Sequence, residues 1–213
     1  MRCRKRTMDM KPTLHIEGLG FRFDSHLVFH DFSATLGPGI TWLRGPNGKG
    51  KTTLMRLIAG ALVPQAGSVR LDELGCASAP LAYRQASFFC GGDLPELPWL
   101  TVQEFFDIHL SLYPGAQATL VAAQLEAFGI AEVLTQRLST LSLGQHKKVQ
   151  LSLALALPVR LLLLDEPFNG LDTAAMDWLR AQLAARGEEQ RTCIVLTSHL
   201  DPQLEVRGTL DLD

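Results

Sequence analysis

Residues 45 to 53 read GPNGKGKTT, the spacing G-x-x-x-x-G-K-[ST] carried by Gly45, Gly50, Lys51 and Thr52. This segment constrains the fold more than any other because of what flanks it. GITWLR precedes it with strand-like apolar content, and TTLMRLIAGAL follows with Leu54, Leu57, Ile58, Ala61 and Leu62 at helical spacing. A strand, a glycine turn and a helix in that order imply a parallel α/β unit. Glycines let the backbone turn sharply and aim successive N–H groups at one point. The helix N-terminus adds the positive end of its dipole there. Such a loop suits phosphate, with Lys51 as a point charge and the Thr52 hydroxyl as a Mg²⁺ ligand.

LLLLDEP, residues 161 to 167, is the second constraint. A wholly apolar strand reads as the centre of a sheet covered on both faces. It delivers Asp165 and Glu166 at its carboxyl end, where ligands of open α/β sheets bind. Asp165 is expected to hold Mg²⁺ and Glu166 to polarise the attacking water. CIVLT at 193 to 197 reads as a neighbouring strand that places His199, in TSH, on the same rim.

The rest of the chain is organised around these pieces. LHIEGLGFRF, LVFHDFSATL, SVRLD and ASFFC read as strands, the first two joined by a tight turn. From about 101 the pattern becomes helical. Thr101 and Glu104 have capping-box spacing, Pro114-Gly115 stops that helix, and a second runs from about 118 to 128. Helices at 144 to 156 and 173 to 186 flank the strand 161 to 164. The expected organisation is a leader over 1–12 and one domain over 13–213, with a helical subdomain at about 95–145 inserted in an α/β core.

Composition excludes several classes. The 213 residues carry a net charge of -2, which speaks against nucleic acid as a partner. The one basic cluster, Arg2, Arg4, Lys5 and Arg6, reads as a solvated leader. Cys3, Cys76, Cys90 and Cys193 have no metal-binding spacing and read as reduced thiols. No run reaches the ~18 apolar residues of a membrane span, since LSLALALPVRLLLL is broken by Pro158 and Arg160.

LSLGQ at 141 to 145 opens the helix at 144 with Ser142, Leu143, Gly144 and Gln145. By itself it reads as an N-cap or an anion site. In the order GPNGKGKTT, LSLGQ, LLLLDEP, NGLD, TSH, the chain resembles the ATP-binding-cassette (ABC) ATPases from about 13 to 200. The resemblance implies a P-loop fold with a mostly parallel sheet, an N-terminal antiparallel β subdomain and the inserted helical subdomain. It implies ATP and Mg²⁺ as cofactors, with Gly45, Pro46, Asn47, Gly48, Lys49, Gly50, Lys51, Thr52 and Thr53 around the phosphates. It implies a head-to-tail homodimer or heterodimer in which Ser142 and Gly144 of one copy cap the γ-phosphate of the other. Glu166 and His199 are the catalytic residues so implied, and Asp172, with Asn169 to Leu171, resembles the D-loop at the dimer seam. Phe23 falls near the position of an adenine-stacking aromatic, although Phe21 and Phe23 could equally be strand core. Lys147 and Lys148, past the first turn of the helix, read as solvated.

Two departures stand out. A glutamine expected near Gly92 is missing, and Gln85, Gln103 and Asp93 do not read as substitutes; Leu143 stands where glycine is commonest. The resemblance implies an ATPase that energises a transporter through separate integral membrane subunits, on the inner face of the cell membrane. The compact single-cassette form is loosely similar to the haem-exporter ATPase of cytochrome c maturation. A nucleotide-sensing module with weak turnover and a non-transport ABC ATPase remain alternatives.

Overall fold

The computed structural model describes residues 11–91 and 97–212. The basic leader residues and the positions Gly92 and Asp93 lie outside the described residues. Pro12 is already packed: it is buried, and its carbonyl accepts the Cys193 thiol at 3.1 Å.

Two sheets organise the described chain. The first is antiparallel, with β1 (Leu14–Phe23), β2 (His26–Leu36), β4 (Ala66–Leu71) and β5 (Leu74–Gly75) in the order β2-β1-β4-β5. In β1 the buried positions run Leu14, Ile16 and then Leu19, Phe21, so the alternation slips by one residue. A register shift between Ile16 and Leu19 absorbs the slip, with Gly18 at φ +59. An extra residue in a left-handed glycine conformation keeps both pairs on the core face.

The second sheet is parallel and holds β3 (Gly39–Arg44), β6 (Ser87–Cys90), β7 (Leu161–Leu164), β8 (Cys193–Thr197) and β9 (Gly208–Asp211), in the order β6-β7-β8-β3-β9. The four leucines of β7 are all buried. Leu161 and Leu163 join one apolar cluster, and Leu162 and Leu164 join the other. That division is the direct consequence of a period-2 strand covered on both faces.

Helices α1 (Lys51–Ile58), α2 (Pro80–Gln85), α3 (Val102–Leu112), α4 (Ala118–Ala127), α5 (Leu143–Ala156) and α6 (Thr173–Glu188) complete the fold. The expected capping box at Thr101 and Glu104 is formed in both directions. Helix α1 stops at Ile58, four residues before the expected Leu62, because Gly60 turns left-handed at φ +71. β5, α2 and β9 were not expected from the sequence. They are short, and their strands are held by pairing rather than by a pattern of their own.

The C-terminus of α5 is secured from α6. The Arg186 guanidinium donates to the carbonyls of Ala154, Leu155, Leu157 and Val159 at 2.9–3.4 Å and from Nε to Thr192 Oγ1 at 3.2 Å. A helix end otherwise leaves its last carbonyls without donors. Leu157 and Val159 keep the Val159 N–H and Thr192 Oγ1 as donors, so Arg186→Leu should deprive chiefly the Ala154 and Leu155 carbonyls and cost about 1–3 kcal/mol. A lowered urea midpoint at unchanged slope is the expected measurement.

Candidate functional site: the glycine loop and the carboxyl ends of β7 and β8

β3 runs into the loop at Gly45, whose φ is +148. A Cβ there would lie 2.4 Å from the Leu212 carbonyl oxygen, and one at Gly50 (φ +90) would lie 2.7 Å from Val28 Cγ1. Both positions need glycine on two counts, conformation and space. Lys51 opens α1 and curls back, donating from Nζ to the carbonyls of Gly45 at 2.7 Å and Pro46 at 3.1 Å.

The loop faces the two carboxylates expected beside it. Asp165 is buried and accepts Thr52 Oγ1 on Oδ2 and Thr197 Oγ1 on Oδ1, each at 2.7 Å. Thr197, the last residue of β8, also accepts the Glu166 N–H at 2.8 Å. Its role escaped the sequence reading, although its place in TSH beside His199 was a signal. Glu166 adopts φ +48, a left-handed conformation that costs a non-glycine residue of order 1–3 kcal/mol and persists only where neighbours enforce it. The His199 N–H donates to Glu166 Oε2 at 3.3 Å, and His199 Nε2 lies 3.5 Å from Oε1. Oε1 is buried without a hydrogen-bond partner.

Together these groups line a cleft of about 330 Å³, walled by Asn47, Gly48, Lys51 and Thr52 on the loop side and by Asp165, Glu166 and His199 opposite. Gly50 and Thr53 also line it. Gly45 and Pro46 accept the Lys51 ammonium through their carbonyls, and Lys49 is exposed and does not line the cleft. Phe23 is outside this cleft; it is 47% exposed and stacks edge-on against buried Phe21 at 4.8 Å.

LSLGQ stands apart from the cleft of its own loop. Ser142 is the N-cap of α5 in a reciprocal box, with Gln145 N–H donating to Ser142 Oγ at 3.2 Å and Ser142 N–H to Gln145 Oε1 at 2.9 Å. Ser142 is exposed and Leu143 is 78% exposed. A Cβ on Gly144 would lie 3.2 Å from the Gly170 carbonyl oxygen, so the turn packs closely on the 169–172 loop. Asp172 caps α6 by accepting Ala175 N–H at 2.9 Å and pairs with Lys148 at 2.6 Å. Lys148 and that cap hold its carboxyl below the usual carboxylate range.

The two lysines of α5 correct the expectation that they are solvated. Lys148 bridges the Phe128 carbonyl and Asp172, and Lys147 reaches the Asp165 carbonyl at 3.3 Å. Partners at the C-cap of α4, at the N-cap of α6 and just past β7 draw them in, which helix position alone does not reveal. Gln85 bonds the Leu112 carbonyl and Gln103 bonds Asp107, so neither faces the cleft. The position near Gly92 lies outside the described residues.

Residues 29–169 match the family model described as ABC transporter. The chain belongs to the ABC transporter family. Curated relatives agree: this ABC chain is 36% identical over 191 residues to the cytochrome c biogenesis ATP-binding export protein CcmA of Pseudomonas putida, across 88% of this chain and 90% of that protein. It is 35% identical over 163 residues to the Fe(3+) ions import ATP-binding protein FbpC of Pseudomonas fluorescens, across 75% of this chain and 47% of that one. A solved ATP-binding subunit of an ABC transporter superposes with a TM-score of 0.74 at 26% identity, across 88% of this chain and 79% of that chain. A bacterial Atm1-family ABC exporter with ATP bound shares the fold, with a TM-score of 0.79 at 20% identity across 95% of this chain and 37% of that chain. The chain is thus an ABC ATP-binding subunit. No helix among its described residues is long and apolar enough to cross a membrane.

Proposed function

We propose that this subunit binds and hydrolyses ATP between two head-to-tail copies or near-copies, and that it powers transport through separate integral membrane subunits. The observation that carries the reading is the junction of Thr52, Asp165 and Thr197, which ties the glycine loop to the carboxylate rim. The single domain is taken as 13–213, with the helical subdomain at about 95–145 inserted in it.

The glycine loop and Lys51 hold the phosphates. Thr52 and Asp165 offer hard oxygen ligands that fit Mg²⁺. Mg²⁺ bound there would neutralise charge developing on the phosphoryl group. Glu166 orients and polarises the attacking water, its Oε1 being buried without a hydrogen-bond partner beside His199 Nε2. His199 steadies Glu166 and meets the γ-phosphate. The loop grips phosphate from one side only, and the turn of a second copy, with exposed Ser142 and half-buried Gly144, supplies donors on the other. Asn169 and Gly170, both exposed, lie at the seam, whereas the Asp172 carboxylate serves its own chain.

Relatives matched over about 90% of both chains include export proteins of cytochrome c biogenesis, which favours an export role over an import role. The subunit is assigned to the cytoplasmic side of the cell membrane, held there by its partners. Affinity purification from detergent-solubilised membranes should recover a multi-span protein with the tagged chain. Recovery of none, with the tagged chain intact and able to bind ATP, would remove the transport role.

A further inference from the structure

Asp165 and Glu166 wall two clefts. One is the glycine-loop cleft. The second, about 300 Å³, lies on the side of α5 and is lined by Lys147, His146, Gln150 and Asn169 together with the same two carboxylates. Lys147 is the cation there, and its Nζ donates to the Asp165 carbonyl at 3.3 Å. That carbonyl and the Glu166 N–H belong to one peptide plane, and the N–H end is held by Thr197 Oγ1 at 2.8 Å. The next rotatable bond is the one that takes Glu166 to φ +48. One strained residue therefore has its preceding peptide gripped at both ends, from β8 and from α5.

We propose that Lys147 is a positioning residue for Glu166. It holds the carbonyl end of the Asp165–Glu166 peptide and so keeps the Glu166 carboxylate turned toward the glycine-loop cleft. The inference rests on the hydrolysis reading above. Its geometry has a consequence for coupling. Helix α5 begins with the Ser142–Gln145 turn, and Lys147 follows one turn later. A displacement of that turn, such as engagement by a second copy's nucleotide would produce, reaches Glu166 through a single ammonium-to-carbonyl bond. Gln150, one turn further on, accepts the Cys90 thiol at 3.9 Å, so the same helix face also touches the end of β6.

The test compares wild type, K147M and K147R in the full chain, measuring ATP affinity, kcat and KM. Methionine keeps the apolar stem and removes the donor; arginine restores a donor. K147M should bind ATP normally, lose about tenfold in kcat (~1.4 kcal/mol) and keep KM for ATP within about twofold. K147R should recover to within about threefold of wild type. A kcat for K147M within about twofold of wild type overturns the inference, and so does a K147R variant as slow as K147M, since packing rather than a donor would then be at stake. These outcomes are distinct from failure of the hydrolysis reading, in which wild type itself binds ATP without turnover.

Discussion

Glu166→Gln should bind ATP within about threefold of wild-type affinity and hydrolyse it about 10²–10³-fold more slowly, the range expected when a general base is lost. Glutamine has the shape of glutamate and keeps a carbonyl oxygen for the His199 N–H, now 3.3 Å from Oε2. The Thr197 and Lys147 side chains clamp backbone atoms of the Asp165–Glu166 peptide and none of the Glu166 side chain, so φ +48 is imposed as before. What disappears is the negative charge that polarises water. With cleavage blocked and binding intact, nucleotide should hold two copies together, and light scattering at saturating ATP should report a dimer. A Glu166→Gln protein that stays monomeric under those conditions, alone and with its membrane partner, contradicts the two-copy site. One that turns over at the wild-type rate contradicts the role of Glu166.

Lys51→Ala should weaken ATP binding by about 100-fold or more without unfolding the chain. Among the described residues the Lys51 ammonium bonds the carbonyls of Gly45 and Pro46, both in the loop, and it would release them when phosphate arrives. The apolar residues of α1 that anchor it, Leu54, Met55, Leu57 and Ile58, are untouched and fully buried. The melting temperature without nucleotide should therefore stay nearly unchanged. The rise that saturating ATP produces in wild type should shrink, because ligand at a hundred times its Kd stabilises by about 2.7 kcal/mol and ligand at its Kd adds almost nothing. Retained ATP stabilisation in Lys51→Ala would place the phosphates elsewhere.

Local signals were legible because their physics is local. The glycine loop depends on conformations that few residues other than glycine adopt. The box at Thr101 and Glu104 spans a single turn and forms as expected, and the strand over 161 to 164 carries its own burial in four successive leucines. The α/β class with a parallel sheet followed from such segments, and the antiparallel β portion from the family resemblance. Elements without a pattern of their own were invisible: β9 exists because it pairs with β3, and β5 is two residues long.

The site divides the same way. Its residue types and their order along the chain stand in the sequence. Thr197 as the link between Asp165 and Glu166, the left-handed turn at Glu166 and the inward reach of Lys147 and Lys148 came only from the tertiary structure. Each depends on a partner from another element, across distances in sequence that no periodicity spans. Sequence determines what a segment can do by itself; the meeting of β7, β8 and α5 decides how a carboxylate is aimed, because aiming needs donors brought from three places at once.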